Sequence, residues 1–242
     1  MASALVVIPT YNEIDNIERL VRNIFALQRD FDIVVVDDGS PDGTALKIKE
    51  MQSDYKGRLF IIEREKKLGL GTAYITGFKW ALDRTYEYIF EMDADFSHNP
   101  NDLIRLYNAC AKDQADLAIG SRYVTGVNVV NWPMGRVLLS WGASKYVRLV
   151  TGMKIHDTTA GFICYKRKVL ESIRLDKIRF VGYAFQIEMK YKAYIKNFTI
   201  VEVPVIFTDR TKGQSKMSKG IISEAVFGVI RLRLNHLFKG KK

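Results

Sequence analysis

Ile33-Val34-Val35-Val36-Asp37-Asp38-Gly39-Ser40 is a run of four β-branched apolar residues that stops at two carboxylates and a turn. Such a run has no polar face, so the strand it forms is covered on both sides, as in a parallel sheet between helices. The pattern recurs along the chain. Leu5-Val6-Val7-Ile8 is stopped by Pro9, Leu59-Phe60-Ile61-Ile62 is a third strand, Tyr88 to Met92 a fourth, and Leu117-Ala118-Ile119 a fifth ahead of Gly120-Ser121-Arg122. Helical segments lie between them. Ile17, Leu20, Val21 and Ile24 share one face; Leu68-Gly69-Leu70-Gly71 opens a helix from near Thr72 to Leu82; Asn99-Pro100 precedes a stripe of Leu103, Leu106, Tyr107 and Cys110. Ser40-Pro41 reads as an N-cap with proline at the first helical position. Strands alternating with amphipathic helices predict an α/β fold with a mostly parallel sheet flanked by helices.

The second half is less regular. A helix is expected from about Met134 to Val150, a loop at Asp157-Thr158-Thr159-Ala160-Gly161-Phe162 leading into a short strand, and a helix from Gly182 to Ala193. Thr199 to Phe207 contains Pro204 and reads as an edge strand, and a closing helix spans roughly Lys219 to Phe238. With no internal repeat or low-complexity linker, residues 1–242 form one domain.

In parallel α/β sheets ligands bind beyond the carboxyl ends of the strands. Polar residues gather there: Tyr11 and Glu13, Asp38, Asp93 and Asp95, then Arg122. Asp93-Ala94-Asp95 ends the Tyr88-Ile89-Phe90-Glu91-Met92 run with two carboxylates one residue apart. These anions repel unless a cation joins them, and Mg²⁺ or Mn²⁺ favours such an oxygen-rich setting, often shared with substrate phosphates. The bland reading, a turn or helix cap, remains open for this pair and for Asp37 before Pro41. Glu13 reads equally as a first-turn helix carboxylate.

The net charge of +10 is unevenly placed. Arg122 to His156 holds five basic residues (Arg122, Arg136, Lys145, Arg148, Lys154) and no acidic one, and Arg210 to Lys242 holds nine against Glu224 alone. A phosphate-bearing partner is implied: nucleotide, nucleic acid or anionic membrane. Trp132, Met134, Val137, Leu138, Trp141 and Tyr146 lie beside the first basic group. Ile222, Ala225, Val226, Val229 and Leu232 form one stripe of the closing helix, with Arg231, Arg233, Lys239, Lys241 and Lys242 around it. That composition suits a bilayer surface rather than a span, since no apolar run reaches about 18 residues. Cys110 and Cys164 read as buried thiols of a reducing compartment. The strand-like start leaves no room for a signal peptide, and a cytoplasmic, peripheral membrane location is expected.

Together the motifs resemble the family 2 glycosyltransferases of the GT-A, Rossmann-like fold. The first are Ile8-Pro9-Thr10-Tyr11-Asn12-Glu13, Val36 through Thr44 and Asp93-Ala94-Asp95. The match narrows with Arg64 through Ala73, Gly120-Ser121-Arg122-Tyr123, Asn131-Trp132-Pro133 with Arg136 and Ser140, Thr159-Ala160-Gly161-Phe162, and Gly213-Gln214-Ser215-Lys216. These are similar to the branch comprising dolichol-phosphate mannose synthases and their polyprenyl-phosphate counterparts, over roughly Leu5 to Leu234.

The resemblance implies that Pro9, Tyr11, Glu13, Val36 and Asp38 surround the donor base and ribose, and that Asp93, Ala94 and Asp95 handle metal and diphosphate. Arg122, Arg136 and Ser140 correspond to acceptor-phosphate contacts, and Arg210 and Lys216 to a loop closing over the phosphates. Asp95, Arg122, Arg210 and Lys216 are then the catalytic group. Ser97 stands where some members carry a glutamine metal ligand, so water or donor oxygens complete the shell. Residues 1–122 become a nucleotide-sugar half, 123–218 an acceptor half, and 219–242 a membrane-proximal helix and basic tail.

The expected reaction is inverting transfer of mannose from GDP-mannose to dolichyl or polyprenyl phosphate, dependent on Mg²⁺ or Mn²⁺. A lipid phosphate is already anionic, so cations that place it matter more than a general base. Another donor such as UDP-glucose, or another acceptor, is the alternative, and a membrane-anchored partner subunit is left open. A nucleic-acid-binding protein is the distant alternative, disfavoured by a carboxylate-lined sheet edge.

Overall fold

The computed structural model describes residues 3–182, 184–209, 227–235 and 238. In chain order the elements are β1 (Ala4–Thr10), α1 (Ile14–Phe25), β2 (Asp32–Asp37), α2 (Thr44–Met51), β3 (Leu59–Glu63), α3 (Leu70–Leu82), β4 (Tyr88–Glu91), α4 (Asp102–Ala111) and β5 (Leu117–Ser121). There follow β6 (Val129–Val130), α5 (Met134–Thr151), β7 (Ile163–Lys166), α6 (Arg167–Ser172), a 3₁₀ turn (Leu175–Lys177), α7 (Ala184–Tyr194), β8 (Ile200–Pro204) and β9 (Phe207–Thr208). Residues 227–235 are helical.

Seven strands make the main sheet in the order β3-β2-β1-β4-β7-β5-β8, and β6 pairs with β9 in a small second sheet. All main-sheet pairings are parallel except those of β7, which runs antiparallel to both β4 and β5. The expectation of a mostly parallel α/β sheet flanked by helices therefore holds. The direction of β7 was not foreseen: the chain returns from α5 and inserts between two strands that follow one another in sequence. β1 and its neighbours β2 and β4 form the switch point where strand order reverses, which opens a crevice at their carboxyl ends.

Strand residues alternate between two cores. Leu5, Val7, Val34 and Val36 pack with α3, α6 and α7 on one face; Val6, Ile8, Ile33 and Val35 pack with α1, α2 and α4 on the other. Ile17, Leu20, Val21 and Ile24 are fully buried, as their spacing predicts, each stabilising the fold by about 1.5–3 kcal/mol.

Ser40-Pro41 does not begin α2. The helix starts at Thr44, behind Gly43 in the left-handed region at φ 91°. Ser40 instead donates its hydroxyl to Asp37 (2.6 Å), and its own oxygen accepts the Asn12 amide (3.0 Å). Thr44 Oγ1 and Asp42 Oδ2 likewise accept the amides of Glu13 (3.0 Å) and Ile14 (3.1 Å). The β2–α2 loop thus satisfies the unpaired donors at the start of α1, a use that outcompetes capping its own helix. Burial alone would raise the Asp42 carboxyl, but hydrogen bonds from Thr44 and Ile14 hold it below its ordinary value.

Thr199 to Phe207 divides into edge strand β8 and the short β9, with Pro204 at the end of β8. Part of the closing helix lies outside the described residues. Of the stripe expected to meet a membrane, Val229 and Leu232 are buried in the protein core; Phe227, Ile230 and Leu234, which lie off that stripe, are exposed. That stripe therefore faces inward where it is described.

Candidate active site

The crevice is lined on one side by the ends of β1 and β2. Pro9 and Val36 are paired in register there, and the Asp38 amide donates to Thr10 O (3.0 Å). Asp37 is consumed by structure: it accepts from Thr10 Oγ1 (2.8 Å), the Ser40 amide (2.9 Å) and the Ser40 hydroxyl (2.6 Å). Its bland reading as a turn residue is the observed one. Asp38, one residue on, takes Arg64 Nε (2.6 Å), and Arg64 Nη1 reaches Thr72 Oγ1 at the start of α3 (2.8 Å). Lys67 lies over the Tyr11 ring at 4.8 Å. Glu13 accepts from Asn16 Nδ2 (3.1 Å), within its own helix entry. Gly71, read as part of a helix-entry turn, also lets α7 approach: a Cβ there would sit 2.7 Å from the Phe185 ring.

At the end of β4 the two carboxylates are anchored differently. Asp93 Oδ1 accepts the Tyr74 hydroxyl (2.9 Å). Burial, with the charges of Asp93 and Glu91, pushes the Tyr74 phenol well above its ordinary value, so it remains a donor. Asp95 Oδ1 accepts the Ser97 amide (3.0 Å), across Phe96 at φ 58°. Ala94 is buried between them. Asp95 thus makes the turn as well, which does not preclude metal binding: a carboxylate has about four acceptor sites.

Among the described residues no group of three or more His, Cys, Asp or Glu side chains is placed to hold a metal. Two carboxylates with no nitrogen or sulfur ligand fit a hard cation that takes its remaining oxygens from diphosphate and water. Ser97 is buried, and its Oγ has no partner among the described residues.

Beyond β7 stands the basic side of the crevice. Arg122 follows β5 and is buried against Asp157, with Nε–Oδ2 at 2.7 Å and Nη2–Oδ1 at 2.6 Å; its amide donates to the same carboxylate (3.0 Å). Thr159 Oγ1 accepts from Nη2 as well (2.8 Å). Burial would raise the Asp157 carboxyl, but the charge and hydrogen bonds of Arg122 hold it below the ordinary carboxylate range. Arg136, on α5, pairs with Asp209 (2.8 Å). Both guanidiniums flank the Trp132 ring, Arg136 at 4.0 Å and Arg122 at 5.4 Å. Burial raises the phenol of Tyr123, while Arg122 and Ser140 lower it. The acid-free stretch is therefore compensated in space by Asp157 and Asp209, which lie just outside it or far along the chain. Arg210 and Lys216 lie outside the described residues.

His98 had no assigned role, yet it sits on the seam between the two sides. Its ring stacks on Phe162 at 4.7 Å and meets Phe207 edge-on at 5.1 Å. Burial lowers it to about 4, so it is neutral near pH 7. Thr208 donates to Ser97 O (3.1 Å), tying β9 to the Asp95 turn. Asp157, Asp209, Arg64 and Tyr74 are further residues with no role assigned from sequence. The available signal was the first acid after a basic run for Asp157, and a basic residue at the end of β3 for Arg64.

The site as built has carboxylates at the switch point and, two strands along the same sheet, an arginine pair on an aromatic wall. Comparison with known proteins agrees. Residues 5–174 match the model of glycosyl transferase family 2. A polyprenol monophosphomannose synthase of Mycolicibacterium smegmatis is 48% identical over 225 residues, 93% of this chain and 84% of that protein. An undecaprenyl-phosphate mannosyltransferase of Micrococcus luteus is 42% identical over 98% of this chain and 96% of its own. A dolichol-phosphate mannosyltransferase of Pyrococcus furiosus is 40% identical over 94% of this chain, which spans 62% of that protein. Among solved structures, glucosyl-3-phosphoglycerate synthase from Mycobacterium tuberculosis in complex with Mn²⁺ and UDP-glucose superposes with a TM-score of 0.68 at 17% identity, over 97% of this chain and 78% of that one. The last likeness concerns the fold alone; the family match and the sequence relatives reach further, and by them the chain belongs to glycosyltransferase family 2.

Proposed function

We propose that the protein transfers mannose from GDP-mannose to a polyprenyl or dolichyl phosphate, with inversion at the anomeric carbon. The observation that carries this reading is the convergence of Arg122 and Arg136 on Trp132, with His98 within electrostatic reach of both Arg122 and Asp95. An arginine pair on an aromatic wall suits a phosphomonoester, and the names of the sequence relatives point to the same lipid acceptors.

In this account Pro9, Tyr11, Glu13, Val36 and Asp38 receive the donor base and ribose. Asp93 and Asp95, with Ala94 between them, would hold Mg²⁺ or Mn²⁺, which would offset charge on the leaving group. Arg122, Arg136 and Ser140 bind the acceptor phosphate. Arg210 and Lys216 are assigned to the donor phosphates. An acceptor oxygen forms the new bond to C1, the bond from C1 to the diphosphate oxygen breaks, and its electron pair leaves on GDP. No side chain need remove a proton, because the attacking oxygen is already ionised near neutral pH.

The lipid tail needs an apolar surface, and α5 offers one. Met134 is 70% exposed, Leu138 60% and Leu149 86%, with Lys145 over the exposed Trp141 ring at 5.0 Å. Among the described residues no helix is long and apolar enough to cross a membrane. We assign 1–122 to the donor, 123–218 to the acceptor and 219–242 to the membrane-proximal tail, with α5 resting on an anionic bilayer at the cytoplasmic face.

Incubation with radiolabelled GDP-mannose, polyprenyl phosphate and Mg²⁺ or Mn²⁺ tests the reading. Labelled lipid is expected, and it should vanish with chelator and with Asp95→Ala. Transfer only from UDP-glucose would contradict the donor assignment, and an α-linked product would contradict inversion.

A further inference from the structure

Glu202 lies on edge strand β8, and the reaction just described gives it no role. Its carboxylate nevertheless gathers four polar contacts: Oε1 accepts the Ser121 hydroxyl (2.7 Å) and the Asp157 amide (2.9 Å), while Oε2 accepts the His156 amide (2.7 Å) and meets His156 Nδ1 (2.8 Å). The side chain is only 9% exposed. These contacts come from two segments distant in sequence: the end of β5, immediately before Arg122, and the loop that carries Asp157. Arg122 bridges the same two segments, since its amide and its guanidinium both bind Asp157.

The buried Lys190 ammonium is within electrostatic reach of both Asp157 and Glu202 and offsets part of their charge. A second anion beside Asp157 opposes it electrostatically, and burying a carboxylate is costly unless donors compensate it. Glu202 meets that cost with donors drawn from the two segments whose spacing sets the Arg122–Asp157 geometry. A planar guanidinium held through two nitrogens has one orientation only while its carboxylate is fixed. Because Asp157 belongs to a loop, its position depends on what holds that loop to the sheet.

We propose that Glu202 is a positioning residue for the anionic acceptor: it locks residues 156–159 against the end of β5, so that Asp157 presents the Arg122 guanidinium in a single orientation. The proposal rests on the reading of Arg122 as an acceptor-phosphate contact. Glu202 itself touches no substrate and acts through Asp157.

Glu202→Ala and Glu202→Gln, assayed well below their melting temperatures, test it. Losing hydrogen bonds to a charged group is expected to raise the KM for polyprenyl phosphate by about tenfold or more in Glu202→Ala. The KM for GDP-mannose stays near the wild-type value. Glu202→Gln keeps one oxygen for the Asp157 amide and recovers most of the loss. A lower melting temperature with both KM values unchanged, or both KM values raised alike, overturns the proposal. Amide hydrogen exchange resolved at Asp157 and Arg122 provides a second reading that needs no turnover. Both amides should exchange faster in Glu202→Ala, and an Arg122 amide as protected as in wild type overturns the inference. If wild type transferred no mannose, the proposed function would fall, while the exchange rates would still decide the role of Glu202. Should Glu202→Ala not fold, Glu202→Gln and His156→Ala, which removes the imidazole contact alone, carry the same measurements with smaller shifts.

Discussion

The donor and acceptor sides of the crevice place their charged groups by different means. On the donor side, three carboxylates at or after the strand ends are set in part by neighbours a few residues away, while Asp38 and Asp93 take Arg64 and Tyr74 from further along the chain. Asp37 is held by Ser40, Asp42 by Thr44, and Asp95 by the Ser97 amide. On the acceptor side the same work is done at long range: Arg122 with Asp157, Arg136 with Asp209, and Ser121 with Glu202. The Asp42 turn tolerates the loss of one bond, because water replaces it at an exposed site. A buried ion pair does not. Removing one partner leaves the other charged and dry, so the Arg122–Asp157 pair should be far more fragile than the exposed Asp42 turn.

Asp157→Ala tests this most severely. It strands the Arg122 guanidinium in a buried setting, and unfolding in urea should show a loss of about 3–5 kcal/mol. A loss below about 1 kcal/mol would put the acceptor side on the same footing as the turns.

The seam gives the next effect. Burial lowers His98 to about 4, from an ordinary 6.5. Below pH 6.5 the unfolded chain binds a proton here that the folded chain refuses, so stability falls as pH drops from about 6.5 towards 4, by about 3 kcal/mol in all. Glu91 works the other way over an overlapping window: burial raises its carboxyl to about 7, so the folded chain holds a proton the unfolded chain has lost. The measurement is therefore the difference between wild type and His98→Phe across that range. The wild type should lose stability relative to the variant as pH falls, and parallel profiles would contradict a neutral, buried His98.

Asp42→Ala is the donor-side counterpart and the smallest change. It removes acceptors from the Ile14 and Thr44 amides, and should cost about 1 kcal/mol by the same urea assay, as other cap losses do. A loss equal to that of Asp157→Ala would erase the contrast between the two sides.

The same contrast explains which parts of the site were legible in the sequence. Asp38, Asp93, Asp95 and Arg122 stand out because a continuous apolar strand ends beside each, and strand ends in a parallel sheet are where ligands bind. The helix faces of α1 and α4 were legible for a related reason, since periodicity is local. Asp157, Asp209 and Glu202 carry no such mark. Their roles arise from long-range pairings that no window of sequence contains: the return into β7 after Asp157, β8 beside β5 for Glu202, and β9 beside β6 for Asp209. Ser40-Pro41 misled in the opposite direction: the residues match a helix start, but the entry to α1 claims the Ser40 hydroxyl from the neighbouring loop. Val229 and Leu232 belong to an amphipathic pattern, yet the pattern does not say whether the apolar stripe meets lipid or the protein's own core.

Arg136 offers the most direct test of the division into a donor and an acceptor side. Its pair with Asp209 is partly exposed, the two side chains being 25% and 26% accessible, so Arg136→Ala removes a cation from the acceptor side without stranding a buried charge. KM values for GDP-mannose and for polyprenyl phosphate, measured on the same preparation of wild type and variant, decide the matter. The account predicts a rise of about tenfold for polyprenyl phosphate, with GDP-mannose essentially unchanged. A variant that loses affinity for GDP-mannose and keeps its affinity for the lipid phosphate would contradict it.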